Sequence, residues 1–363
     1  MRYPSIDILR TFAICVMVLV HFGENLSGFH SPITGFGAPL FAFLAGVSYC
    51  LWSRAQTARG KSESEISRIS VRRALFVFGV GFAFNVLVWL PEDIFNWDVL
   101  TFIGASLLFL TVTRHLPSPV LTVISIASLL ASPVLRETVD YASYWQSDYF
   151  DPDMSLVDVI IGFLVAGYFP LLPWIVFPIA GFLAGATLFA DSGNSSDSQH
   201  SPWLIVMTGM ILFAASMLLL GLRPCLPAML SQKVLGGWNM YPPTIEYVTC
   251  TLGLALVLLG WMHLYVDLNP AVASYQNALQ VPRAFSRYSF TIYILHHIVH
   301  VWPLWIYAMA TGQHPTDLWM KAMPLTASIP LAVLFLFCAY GLVRVLGDER
   351  NYGIEACMRW LCD

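Results

Sequence analysis

The sequence predicts an all-α, polytopic integral membrane bundle of about ten transmembrane helices. It predicts one transmembrane domain over 1–363, with both termini cytoplasmic. Three observations carry this. Only 11% of the 363 residues are charged and 57% are hydrophobic, whereas soluble domains carry about 25% charged residues. Apolar stretches of about 20 residues, the length that crosses a bilayer's hydrocarbon core, recur along the chain. Basic residues are distributed unevenly between alternate loops.

The expected spans are 5–23, 36–53, 71–90, 98–113, 118–135, 170–190, 202–222, 243–266, 286–308 and 325–346. The stretch 156–168 is apolar but short and reads as a re-entrant or interfacial helix. Arg54, Arg59, Lys61, Arg68, Arg72 and Arg73 crowd the loop between the second and third spans and mark it as cytoplasmic. Alternating outward from there leaves fourteen basic residues inside, Arg350 among them. Four remain outside: Arg136, Arg223, Lys233 and Lys321. The second loop, with Glu92, Asp93 and Asp98, and the acidic stretch Glu137–Asp158 then fall outside.

Local signals refine the elements. In the second span Ala38, Ala42 and Gly46 recur every four residues, a stripe for close helix packing, behind Pro39. The sixth opens with Phe169-Pro170-Leu-Leu-Pro173-Trp174 and carries Gly181 and Gly185, a rigid start over a cavity. Trp203, Trp238, Trp261, Trp302 and Trp305 lie near predicted span ends, as aromatic belts do. Asp191–Ser198 is a polar, low-complexity loop.

The first span holds the most informative pair. Arg10 and His21 stand eleven residues apart. On an α-helix that is ~1100° of rotation and ~16 Å of rise, so the two side chains share a face, one near each membrane surface. Asp7 is placed to pair with Arg10, and Glu24 to orient His21. Ionisable groups in a membrane helix are costly and point to function. The plainer alternative makes Arg10 a cytoplasmic anchor and His21 a polar helix end. Span nine is the second polar concentration. Ser289, Tyr293, His296/His297 and His300 form one stripe at helical spacing. His296 and His300 are spaced to chelate a metal, but the carboxylate of a HExxH motif is missing, so no metal is expected.

Other chemistry is excluded more simply. The net charge of −4, with no basic tail, offers no nucleic-acid surface. The seven cysteines form no CxxC pair and indicate neither zinc nor a disulfide framework. The N-terminal apolar stretch shows no clear small-residue cleavage site and reads as a retained helix.

Arg10 and His21, with ten residues between them, resemble the Arg-x10-His signature of the acyltransferase 3 family. Ser5-Ile-Asp7-Ile-Leu-Arg10, Pro39-Leu-Phe41-Ala-Phe43-Leu-Ala-Gly46 and Phe169-Pro170-Leu-Leu-Pro173-Trp174 are similar to bacterial relatives of heparan-α-glucosaminide N-acetyltransferase. So are Tyr241-Pro-Pro243 and Arg287-Tyr-Ser289-Phe-Thr291-Ile-Tyr293 with Leu295-His296. The resemblance implies a membrane acyltransferase. Such an enzyme moves an acetyl or other acyl group from cytosolic acetyl-CoA (acyl-CoA) to a hydroxyl or amine of a carbohydrate or amino-sugar acceptor at the outer side. It also implies a multi-pass protein of the bacterial inner membrane, in contact with the lipid bilayer; a homodimer stays open. The lysosomal enzymes of the group carry asparagine where this chain has His21, and their active histidine comes later; His30 is the nearest counterpart.

Acyl transfer needs a base for the attacking group and a stabiliser for the oxyanion. His21 is the first candidate for base or transient acyl carrier, with Glu24 orienting it, and His30 the second. Tyr293, His296 and Asn25 are candidate oxyanion donors, or structural hydrogen-bonding partners. Arg10, Arg72, Arg73 and Arg287 are candidates for the CoA phosphates, or positive-inside anchors, as Arg68 is. An extended pantetheine arm has about the length of the Arg10–His21 separation. Glu246, Asn25 and Trp174 are candidates for the acceptor, with Asn85, Asp151 and Asp153 behind them. The competing class is a secondary transporter in which the histidines and Glu246 form a proton or substrate relay. Such folds show repeats with matching broken helices, which this sequence lacks.

Overall fold

The computed structural model describes residues 2–31, 33–89, 93–146, 149–151, 155–189, 202–346 and 352–363. Glu92, Asp153, Arg350 and the Asp191–Ser198 loop lie outside the described residues. The chain forms two compact units. One is built from 39–85 and 91–265, the other from 2–38, 86–90 and 266–363.

The helices fall where hydropathy places them. They are α1 (Pro4–Ser27), α2 (Gly37–Ala58), α3 (Glu63–Val88), α4 (Val99–Thr113) and α5 (Ser118–Thr138). A small antiparallel hairpin follows, β1 (Trp145–Gln146) with β2 (Tyr149–Phe150), pairing Trp145 with Phe150. Then come α6 (Leu156–Ile161), α7 (Leu171–Trp174), α8 (Val176–Leu188), α9 (Pro202–Leu222) and α10 (Ile245–Met262). The last are α11 (Gln280–Arg287), α12 (Ser289–Ala310), α13 (Leu325–Leu346) and α14 (Ile354–Cys362). Among the described residues, eight helical runs are long and apolar enough to cross a membrane. The expectation of ten counted α2 and α4 as well. Both exist, but α4 has only 15 residues, and small and polar residues dilute α2. The short stretch after residue 155 is α6, continued by a π-turn through Ala166 and broken before α7.

In the unit of 39–85 and 91–265, backbone contact sets the packing. A Cβ on Gly46 of α2 would lie 2.0 Å from the Pro178 carbonyl oxygen of α8. One on Gly181 would lie 1.9 Å from the carbonyl oxygen of Phe43. Only glycine lets these two helices cross so closely. Arg54 then donates to the carbonyls of Ala186 and Phe189, both at 3.0 Å, satisfying acceptors that the end of α8 leaves open. A buried hydroxyl cluster ties α2, α3 and α4 together: Ser70 and Thr111 approach to 2.5 Å, with the Tyr49 hydroxyl 3.3 Å from Thr111.

In the other unit, α1 is the centre and packs on α11, α12 and α13. Its first turn is held by Asp267, which accepts from the Ser5 amide at 3.0 Å and the Ser5 hydroxyl at 2.5 Å. A carboxylate there complements the positive end of the helix. At the far end Gly28 adopts φ +67° and closes the helix by donating to Glu24 O at 2.8 Å. The Met320 and Met323 amides then donate to the carbonyls of Asn25 and Leu26. α12 is anchored in the same way. Glu355 of α14 accepts from the amides of Phe290 (2.7 Å) and Thr291 (3.0 Å) and from the Thr291 hydroxyl (2.5 Å).

Two outcomes follow. Gly46→Ala and Gly181→Ala each force α2 and α8 apart, at a cost of at least the ~1–3 kcal/mol of ordinary overpacking. Gly79→Ala, with nothing within 4 Å of the new Cβ, costs nothing; yield of monodisperse protein in detergent and apparent Tm check this. Glu355→Ala uncaps α12 and lowers stability by ~1–3 kcal/mol, with Glu355→Gln retaining part of it. Thermal unfolding of the two variants side by side reads that difference.

Candidate active site

The site is a ladder between α1 and α12. His21 and Asn25 stand four apart on α1, His296 and His300 four apart on α12, so each pair shares a face. His21 Nδ1 lies 2.9 Å from His296 Nε2. One turn on, the Asn25 side-chain amide lies 2.8 Å from His300 Nε2. Two rungs rising in the same chain direction make the helices locally parallel. Ring packing fills the space around them. His21 stacks on His296 with centroids 5.2 Å apart, and Phe22 covers His300 at 4.7 Å. His297 packs against His296 at 4.0 Å and against His21 at 4.7 Å.

The helix backbone orders the protons. His296 Nδ1 lies 3.2 Å from the Ile292 carbonyl, and His300 Nδ1 2.5 Å from the His296 carbonyl. A carbonyl only accepts, so both Nδ1 atoms donate. In neutral rings both Nε2 atoms then accept. His300 Nε2 takes its hydrogen from Asn25, and His296 Nε2 from His21 Nδ1. This leaves the lone pair of the His21 ring on Nε2, with its opposite nitrogen tethered. A histidine held by Nδ1–H with Nε2 open is the arrangement of a general base.

The structure distributes the other expected residues differently. The Glu24 carboxylate does not turn to His21. It accepts from Thr34 at 2.8 Å and meets His30 Nδ1 at 3.3 Å, because the reversal at Gly28 brings the following loop back over the last turn of α1. His30 itself is exposed. Asp7 is taken by Arg2 at 2.6 Å, and Arg10 donates to the Ser286 hydroxyl at 2.7 Å. Tyr293 is buried, edge-on to His296 and His297. Arg287, the last residue of α11, is half-buried in this same unit.

The remaining candidates belong to the other unit. Arg72 is exposed on α3, and the Arg73 guanidinium sits 4.8 Å over the Trp52 ring. Trp174 is fully buried among Phe102, Phe169, Phe177 and Tyr247. Glu246, in the first turn of α10, is fully buried. One of its oxygens accepts from the Gly237 amide at 2.9 Å, and the other makes no hydrogen bond among the described residues. Asn85 is buried and donates to Ile94 O; Asp151 is exposed. In the sequence His297 and His300 are part of a polar stripe, and His300 also stands at chelate spacing from His296. The signal for the ladder is the repeated spacing of four in two helices far apart in the chain.

A search of curated proteins finds no match to the chain. The model of the family described as "Heparan-alpha-glucosaminide N-acetyltransferase, catalytic" matches residues 2–219. The matched region begins before α1, takes in His21, Glu24, Asn25 and His30, and ends within α9; the α12 histidines lie beyond it. The match spans more than half of the chain, and the chain belongs to this family of membrane acetyltransferases.

Proposed function

We propose that the chain transfers an acetyl group from cytosolic acetyl-CoA to an amine or hydroxyl of a carbohydrate acceptor at the outer side of the membrane, as one catalytic domain with cytoplasmic termini. The observation that carries this is the tethered His21 ring, with Nδ1 on His296 and Nε2 open.

In the transfer, the acceptor nitrogen or oxygen attacks the thioester carbonyl while His21 Nε2 takes its proton. The tetrahedral intermediate collapses with cleavage of the C–S bond. The departing CoA sulfur recovers that proton from the imidazolium, and the ring returns to its starting state. His296 is a positioning residue that holds the His21 tautomer through its own bond to Ile292 O. Tyr293, edge-on to His296 and His297, is the candidate oxyanion donor. Arg10 and Arg287, in the same unit as His21, are the proposed positive charges for the CoA phosphates. Arg10 and His21 lie on one uninterrupted helix, so the expected rise of ~16 Å between them holds and suits a pantetheine arm.

Purified protein with acetyl-CoA and glucosamine as the acceptor probe tests this. His21→Ala lowers transfer by ~10²–10⁴-fold while CoA binding survives. His296→Gln lowers kcat with little change in KM. His30→Ala leaves most of the rate. Loss of transfer in His30→Ala with full activity in His21→Ala places the base on the Glu24–His30 pair instead. Absence of CoA binding and of transfer in the unmodified protein overturns the acetyltransferase reading.

A further inference from the structure

The histidine cluster holds more nitrogen than one base requires. One ring nitrogen from each of His21, His296 and His297 lies within 4.8 Å of the other two. We infer that these three residues form a binding site for a late first-row divalent ion, zinc first among them.

Four features support the assignment. The ligand set is three imidazoles with no carboxylate, which selects borderline ions such as zinc, cobalt or copper over magnesium and calcium, whose ligands are oxygens. Two nitrogens on a tetrahedral zinc at 2.0–2.1 Å stand about 3.3 Å apart. The first pair here is at 2.9 Å, and the His297 nitrogen, within 4.8 Å of the other two, closes on the ion by side-chain rotation. His296 already donates Nδ1–H to the Ile292 carbonyl. That outer contact fixes the tautomer and aims Nε2, as it does for ligating histidines generally. His300 is engaged at both nitrogens, by Asn25 and by the His296 carbonyl. The site therefore has three protein ligands and leaves a fourth tetrahedral position for water.

The ion and the base compete for the same ring. If His21 binds through Nε2, the lone pair is consumed. If it binds through Nδ1, the ring proton moves to Nε2 and the lone pair is again lost. No net proton is released in either case. Metal binding stands without the acetyltransferase reading; the inhibition it entails rests on that reading.

The test uses the full chain in detergent, stripped with a chelator and titrated with cobalt(II). The expected result is one equivalent bound with the intense visible absorption of tetrahedral cobalt, displaced by zinc. His296→Gln and His297→Gln each weaken binding by about tenfold or more. His115→Gln and His314→Gln, which alter exposed residues, leave it unchanged. A weak octahedral spectrum from the unmodified protein overturns the site, whether or not the variants fold. So does unchanged affinity in His296→Gln with an unchanged apparent Tm. Zinc at saturation abolishes acetyl transfer. Stoichiometric tetrahedral binding without inhibition overturns His21 as the base and leaves the metal site standing.

Discussion

The His21–His296 hydrogen bond is the contact on which the rest of this unit depends. Inside a bilayer an imidazole nitrogen without a hydrogen bond is costly. The chain solves this with two rungs between α1 and α12, and with the α12 backbone ordering the protons of two of its own histidines. The ends of both helices are fixed to match. Asp267 and Gly28 define α1, Glu355 defines the start of α12, and Met320 and Met323 return to the α1 terminus. Each anchor limits sliding of one helix along the other. A register shift of one residue would break both rungs together.

The unit of 39–85 and 91–265 is built on a different principle. Its close crossings leave no room for a Cβ at Gly46 or Gly181, and buried hydroxyls of Tyr49, Ser70 and Thr111 bond from helix to helix. Glu246 is buried there too, and its second oxygen makes no hydrogen bond among the described residues. A carboxylate oxygen left without a hydrogen bond in a buried place is costly. Arg54 shows the reverse case. A residue that reads as a cytoplasmic marker also satisfies two helix-end carbonyls.

Much of the fold was legible in the sequence, because hydropathy and length report directly on spans. Eight helical runs among the described residues are long and apolar enough to span, one of them running from the stretch after 155 through α8, and α2 and α4 are helices at the two other expected spans. The Gly46 stripe and the Gly181 signal met each other across one crossing. What was not legible depends on partners distant in the chain. The start of span nine was expected at 286, but the helix breaks at Tyr288 and restarts at Ser289, where Glu355, some 65 residues later, receives the new amides. Glu24 shows the limit of spacing rules. Three residues after His21, it looks like its partner; the left-handed turn at Gly28 instead delivers His30 and Thr34 to it. Asp7 likewise looked placed for Arg10, until Arg2, outside the helix, reached it first. His21 and the α12 stripe were each visible, whereas their pairing needed the parallel approach of two helices separated by 275 residues.

The central claim is that His21 keeps its lone pair on Nε2. Ring-nitrogen NMR on histidine-labelled protein in detergent measures this directly, with the His21 signals assigned by their loss in His21→Gln. The account predicts a neutral His21 ring with its proton on Nδ1, and a His296 ring in the same tautomer. In His296→Gln the His21 ring should lose that single tautomer and show a mixture. A His21 ring carrying its proton on Nε2 in the unmodified protein would contradict the account.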